Sequence, residues 1–323
     1  MAKIGASFWA RGPGITLLVL LALVVAASAG ALGYLRFLTH PPRNTQILDP
    51  DDVLLRADEV DLRAADGVSL SGWFVKGRPD RPVIILCHDL GAARSSLLNS
   101  AAALSRGGFP LFLLDFRGHG RSGGNGSTLG IEERLDILAV VDFLSGRPAT
   151  VTDRFGVWGT GMGAYAGALA ALENSRITAL ALDSIYPDVA SELDRLALQG
   201  VPQAARPALR LLRLFYEPYY RFKLGRYSLR HNLADLGGRD LLFIAGADDP
   251  ARLEQEKLLY AQLPDNPSGD KNFLEMRTSS VSGLYADDKK RYDEALVAFF
   301  TTYLTPERAR GGGSAEGLQV LEK

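Results

Sequence analysis

The stretch Arg154-Phe-Gly-Val-Trp-Gly159-Thr160-Gly161-Met162-Gly163-Ala-Tyr-Ala-Gly constrains the fold more than any other part of the chain. It reads as a buried strand, a sharp glycine turn and a helix. The same alternation runs along most of the sequence. Buried strand-like runs fall at residues 82–87, 110–115, 155–159, 179–183, 241–245 and 272–277, with helical spacing between them at 95–106, 131–144, 164–172, 252–263 and 289–303. Two further runs, 59–63 and 69–75, flank Asp66-Gly67 as an antiparallel hairpin. Strands alternating with helices predict a largely parallel sheet with helices on both faces and loops gathered at a common strand edge.

Composition narrows the function classes. With 323 residues, 47% of them hydrophobic, the chain can bury one large core. Its formal net charge is −1 and its Lys and Arg residues are scattered, so it carries no nucleic-acid footprint. Cys87 is the only cysteine; no intramolecular disulfide can form, and its place at the end of an apolar run suits a small core residue. The four histidines, His40, His88, His119 and His231, are far apart without Cys or His neighbours, so neither a metal nor a cofactor is expected.

The N-terminus is a separate physical object. From Gly14 to Leu38 it is almost wholly apolar, with Arg36 its only charge, and a bilayer core needs about 20 such residues as a helix. A cleavable signal peptide is the competing reading, because Lys3 and Arg11 form a basic start and Ala27-Ser28-Ala29 has a small-x-small pattern. Apolar character continues through Leu32, Tyr34, Leu35 and Phe37, which favours an uncleaved single-pass anchor. The positive-inside count leans towards a cytoplasmic N-terminus and hence an extracytoplasmic domain. His40-Pro41-Pro42-Arg43-Asn44 reads as a stiff spacer. The expected division is an anchor over 1–38, a linker over 39–57, a folded domain over 58–306 and a disordered tail over 307–323 around Gly311-Gly-Gly-Ser314.

Several segments, in order, carry a family resemblance: Asp66-Gly67-Val-Ser-Leu-Ser-Gly-Trp73, Ile84-Ile-Leu-Cys-His88-Asp89-Leu-Gly91, Leu114-Asp115-Phe-Arg117-Gly118-His119-Gly120-Arg-Ser122-Gly123, the turn at Gly161, Leu182-Asp183-Ser184, and Ile244-Ala-Gly246-Ala-Asp248-Asp249-Pro250. Over residues 58–304 the chain resembles the α/β-hydrolase superfamily, especially its serine-hydrolase branch of esterases and peptidase-like proteins. The resemblance implies the α/β-hydrolase fold with a helical cap inserted at about 185–238. That segment breaks the strand–helix rhythm, holds helical stretches at 189–198 and 207–219, and carries Arg206, Arg210, Arg213 and Arg221, which read as a solvated face or as a site for an acidic ligand.

The resemblance also defines slots for chemistry, and most are degenerate. The family turn is a nucleophile elbow, G-x-S-x-G, with serine at a strained apex; here the apex is Gly161, which has no atom to attack with. The family's histidine follows the last strand, where alignment of Leu284-Tyr285 places Val281, and no histidine occurs after His231. Asp249 matches the acid, with Asp248 second, yet Asp249 before Pro250 reads equally as a helix N-cap. Oxyanion donors are expected from the backbone of Met162 and of Asp89 or Leu90. The usual His-Gly is His88-Asp89 here, and an inward carboxylate would oppose a developing negative charge. His88 and His119 match structural positions.

Losing either serine or histidine in such a mechanism costs about two million-fold in turnover, roughly 8–9 kcal/mol. The sequence therefore reads as a catalytically inactive, membrane-anchored pseudohydrolase, a binding or interaction module for a small acyl or peptide ligand in the cleft or for a protein partner. A further reading is a chaperone-like or assembly subunit beside an active paralogue. The alternative is a serine-type hydrolase, carboxylesterase or peptidase-like, acting on ester or peptide bonds through a non-standard nucleophile such as Thr160 or Ser184.

Overall fold

The computed structural model describes residues 12–44, 48–147, 151–221, 223–264, 269–278 and 286–304. Val281 and the C-terminal tail lie outside the described residues. Eight strands form one sheet: β1 (Ala57–Arg63), β2 (Ser69–Val75), β3 (Pro82–Cys87), β4 (Leu111–Asp115), β5 (Val151–Thr160), β6 (Ile177–Asp183), β7 (Asp240–Gly246) and β8 (Lys271–Met276). Their order is β1-β2-β4-β3-β5-β6-β7-β8. β2 pairs antiparallel with β1 and β4, and every other pairing is parallel.

Burial follows position in the sheet. β3, β4 and β7 are buried at every residue, as strands covered on both faces must be. Edge strand β1 buries only Val60 and leaves polar residues on its outer side. One face of the sheet is covered by α3 (Glu133–Ser145), α4 (Met162–Glu173) and α9 (Pro250–Gln262), the other by α2 (Leu98–Arg106) and α10 (Ala286–Tyr303). The sheet and its flanking helices are the fold class that the alternating pattern predicts.

Between β6 and β7 the chain forms a helical insertion: α5 (Val189–Leu198), α6 (Arg206–Leu209), α7 (Tyr216–Tyr220) and α8 (Leu229–Asn232), joined by 3-10 turns at Gln203–Ala205, Arg210–Phe215, Leu224–Tyr227 and Leu233–Leu236. The stretch expected at 207–219 is helical but broken into short turns; Pro218, within it, denies the backbone an N–H donor.

The apolar N-terminal segment is one helix, α1 (Gly12–Thr39), long and apolar enough over Ile15–Thr39 to cross a membrane. Its first half stands clear of the domain, with Ile15 to Val25 exposed. Its last turns do not. Leu35 and Thr39 are fully buried, and Ala31, Tyr34 and Leu38 pack on the core. Tyr34 donates its hydroxyl to the Ala197 carbonyl at 3.2 Å, and the Thr39 and Tyr219 hydroxyls lie 2.7 Å apart. Residues 40–44 are not a free-standing spacer either. The Arg43 guanidinium donates to the carbonyls of Gly120, Ser122 and Gly124, binding this segment to the loop after β4.

That loop is held by a buried ion pair. Asp136 on α3, fully buried, accepts from the Arg117 backbone N–H at 2.9 Å and from its guanidinium at 3.0 and 2.7 Å. Arg117 also reaches Asp66 in the hairpin turn at 2.6 Å, so one side chain ties the β4 loop, α3 and the β1–β2 turn together. Removing the cation strands a buried carboxylate. Arg117→Ala is expected to lower unfolding free energy by about 3–5 kcal/mol in urea titrations, whereas Arg121→Ala, at an exposed arginine in the same loop, should change it by no more than about 0.5 kcal/mol.

Candidate active site at the elbow

β5 ends at Thr160 and α4 begins at Met162, so the whole strand-to-helix reversal falls on Gly161. Its φ of +51° and ψ of −111° lie where side chains are strained. Its N–H donates to the Asp183 carbonyl at 2.8 Å and its carbonyl accepts from Tyr165 at 3.1 Å, which fixes the turn against β6 and α4. Tight crossing needs Gly163 as well: a Cβ there would lie 2.3 Å from the Cys87 carbonyl oxygen. The elbow geometry is therefore intact, with an apex that bears no side chain.

The space above the apex is filled from the neighbouring loop. A Cβ on Gly161 would fall 2.1 Å from Oδ1 of Asp89. That oxygen accepts hydrogen bonds from the backbone N–H of Met162 and of Leu90, each at 2.7 Å. The expected anion-stabilising donors thus meet, and a carboxylate of the chain itself takes both. Water still reaches Asp89, but protein crowds its carboxyl on the other sides; burial pushes its pKa up, with the Glu192 carboxylate adding to the rise and the Met162 N–H opposing it.

Both loop histidines are engaged by backbone. His88 accepts from the Phe116 N–H at Nε2 (3.1 Å), which leaves Nδ1 to donate to the Asp89 carbonyl at 2.8 Å. Burial, then its neighbour His119, lowers its pKa to about 3, so it is neutral. His119 accepts from Gly91 at Nε2 and donates from Nδ1 to the Arg117 carbonyl. His40 lies beside Arg36 and Thr39, and His231 is exposed on α8.

At the next strand ends Asp249 caps α9, its carboxylate accepting the Arg252 N–H at 3.1 Å ahead of Pro250, while Asp248 accepts from Thr278 at 2.9 Å. Ser184 has φ +56° and donates to Asp183 at 2.8 Å. Asp183 also accepts from Tyr292 at 2.7 Å, and Trp158 donates to that phenol oxygen at 3.0 Å. Cys87 is fully buried and its thiol pKa is raised by burial, as befits a core residue.

Sequence reasoning missed the charge network beside the elbow. Arg252 is buried, donates to the Ser184 carbonyl and pairs with Glu192 of α5 at 2.5 Å, joining the insertion to the sheet edge. One turn further along α9, Glu256 is 1% exposed and neither carboxyl oxygen has a hydrogen-bond partner among the described residues. Burial and nearby Asp183 push Glu256 up to about 9, and burial pushes Asp183 up to about 7. Nothing in the spacing of α9 marks Glu256 as buried. By contrast, Asp89 in the place of glycine was a visible signal.

Two expectations follow from this geometry. Gly161→Ser is expected to destabilise the domain by on the order of 1–3 kcal/mol for the backbone conformation and a comparable amount for overpacking. Asp89→Gly should recover the second part, so urea titrations of both single variants and the double variant give a non-additive cycle. Glu256 has a folded-state pKa raised above its unfolded value, so its favourable contribution is present below about pH 4.5 and is lost as pH rises towards 9. Glu256→Gln should therefore flatten the fall in stability with pH, measured by denaturant unfolding at pH 6 and pH 9.

With the fold and this cluster in hand, similarity to known proteins can be stated. The chain is 28% identical over 130 residues to a 31.7 kDa protein of the traX-finO intergenic region of Escherichia coli, covering 40% of this chain and 46% of that protein. It is 30% identical over 146 residues to the alpha/beta hydrolase domain-containing protein WAV2 of Arabidopsis thaliana, covering 44% and 47%. The matches span less than half the length of these curated relatives. Among solved structures, an esterase from Pyrococcus furiosus superposes with a TM-score of 0.59 at 24% identity, over 82% of this chain and 99% of that one, a likeness of fold. The family profile described as the alpha/beta hydrolase fold matches residues 82–265, more than half of the sequence, and the chain belongs to that family.

Proposed function

We propose that this chain is a membrane-anchored pseudohydrolase, an α/β-hydrolase scaffold kept as a binding or interaction module. One observation carries the reading: Oδ1 of Asp89 takes both backbone donors, Met162 and Leu90, in the space where a nucleophile on residue 161 would stand. A tetrahedral intermediate needs those donors for its oxyanion. An internal carboxylate both competes for them and repels the charge they would stabilise.

Three further points support it. Gly161 supplies no nucleophile, and no histidine follows His231 in the sequence. His88 and His119 spend both ring nitrogens on loop backbone. Ser184, one of the two candidate substitutes, is buried and bonded to Asp183. The family acid Asp249 serves as a helix cap in this reading. The degenerate triad positions are then Gly161, Asp249 and Val281.

The insertion over 185–238 acts as the cap of the cleft, fastened through Glu192 and Arg252, and a small acyl or peptide ligand or a protein segment is what such a cleft would admit. α1 is the single-pass anchor, with the domain on the extracytoplasmic side. The docked half of α1 would be kept with or without cleavage after Ala29, and it is the apolar run continuing through Leu32, Tyr34, Leu35 and Phe37 that favours the uncleaved helix.

Fluorophosphonate labelling and turnover of acyl esters test the reading on the full chain in detergent. Neither labelling nor turnover above the buffer rate is expected. A label that maps to Ser184, or turnover abolished by Thr160→Val or Ser184→Ala, would transfer the chain to the non-standard hydrolase reading. Gly161→Ser with Asp89→Gly should remain idle, while adding Val281→His to that pair is expected to restore weak esterase activity.

A further inference from the structure

We propose that the face of the insertion around Leu211 and Leu214 lies on the surface of the anionic bilayer that α1 crosses. This inference rests on the reading of α1 as a membrane span. The helix itself supplies the ruler. A hydrocarbon core takes about 20 helical residues, and counting from Ile15 that stretch ends at Tyr34. Contact between α1 and the domain begins at the same level: Ala31, Tyr34, Leu35, Leu38 and Thr39 form one helical face, spaced i, i+3, i+4, i+7 and i+8, and that face is the docked one. Tyr34 bonds the last turn of α5 at Ala197, and α1 packs on the Arg210–Phe215 turn and on α7. A bilayer around residues 15–34 therefore brings its headgroups level with α5 and that turn.

The surface presented there has the composition of a membrane interface. Leu211 is 63% exposed and Leu214 71%, the two large apolar side chains of the domain that project from the elements beside α1. Exposed apolar residues next to a membrane span are satisfied by shallow burial among headgroups and upper acyl chains. Over residues 199–232 the sequence has seven basic residues, Arg206, Arg210, Arg213, Arg221, Lys223, Arg226 and Arg230, against one acid, Glu217. Arg213 pairs with Asp194 and Arg230 with Asp188. Arg206, Arg210, Arg221, Lys223 and Arg226 are exposed and form no ion pair among the described residues. Basic residues close to an anionic membrane surface are drawn to it electrostatically. A cavity of about 480 Å³ between α5 and the turn, lined by Asp194, Ala197, Leu198, Leu209, Arg210 and Arg213, gives room for a headgroup, with Arg213 paired to Asp194 and Arg210 left to meet the anion.

Site-specific labelling tests the contact. Cys87 is the only cysteine and is fully buried, so Leu214→Cys gives a single reactive position, with Leu258→Cys on α9 as an exposed control and the unsubstituted chain as a blank. The full chain is reconstituted in phosphatidylcholine vesicles with or without phosphatidylglycerol, an environment-sensitive fluorophore is attached, and quenching by spin-labelled lipid is read after flotation. Several-fold stronger quenching at position 214 than at 258, increased by phosphatidylglycerol and reduced by Arg210→Glu, is the expected result. Protein that floats with the vesicles but shows equal quenching at both positions overturns this proposal and leaves the anchor reading standing. Protein that does not float overturns both. A disulfide-linked dimer through position 214, without lipid quenching, overturns it in favour of a second copy of the chain.

Discussion

The shared hydrogen bonds from Met162 and Leu90 to one oxygen of Asp89 close the junction between two loops, and the geometry of the strand edge depends on them. Backbone N–H groups aimed at a common point are costly when left without an acceptor. In an open oxyanion hole, water or substrate supplies that acceptor. Here the acceptor is covalently part of the chain, and hydrogen bonds to an ionised carboxylate are each worth about 1.5–3 kcal/mol. The carboxylate fits because residue 161 has no Cβ. Asp89 and Gly161 are one physical unit: the glycine makes room for the acid, and the acid occupies what the glycine vacates.

The same edge is short of positive charge. Asp89, Asp183, Glu192 and Glu256 gather around Arg252, and burial raises Asp89, Asp183 and Glu256 above their ordinary range. Glu256, pushed up to about 9, keeps its proton at neutral pH, which costs less than confining one more bare anion there.

How far the sequence revealed this molecule depended on the physics of each feature. Strands such as 82–87 and 241–245 were legible because burial on both faces demands unbroken apolar runs, and the hairpin because Asp66-Gly67 marks a turn. The sharp turn at 161 was legible because the elbow needs glycines at 159 and 163 whatever stands between them. The direction of the Asp89 side chain was not, since periodicity says nothing about a loop rotamer. Burial of Glu256 was hidden because Arg252 and Glu256, one helical turn apart on α9, look like a solvated pair until the sheet covers them. The docking of residues 31–44 was missed for a related reason: a stretch rich in proline and next to an apolar helix reads as a tether when its partners are distant in sequence, among them Ala197, Tyr219 and the carbonyls of the loop after β4.

That docking decides what insertion of α1 in a membrane would do to the domain. A flexible tether confines a protein to a surface while leaving its orientation free. A helix whose last two turns are packed against the domain transmits its own tilt instead. Residues 31–39 of α1 join α5, α7 and the 210–215 turn into one packed body, and Arg43 extends the attachment to the loop that also carries Arg117 and His119. α5 is in turn fastened to the strand edge by Glu192 and Arg252. A continuous set of packed side chains thus runs from the apolar helix to the strand edge beside the elbow, so the attitude of that edge follows from the attitude of the helix, and insertion of α1 in a bilayer would present the edge to that surface at a fixed angle.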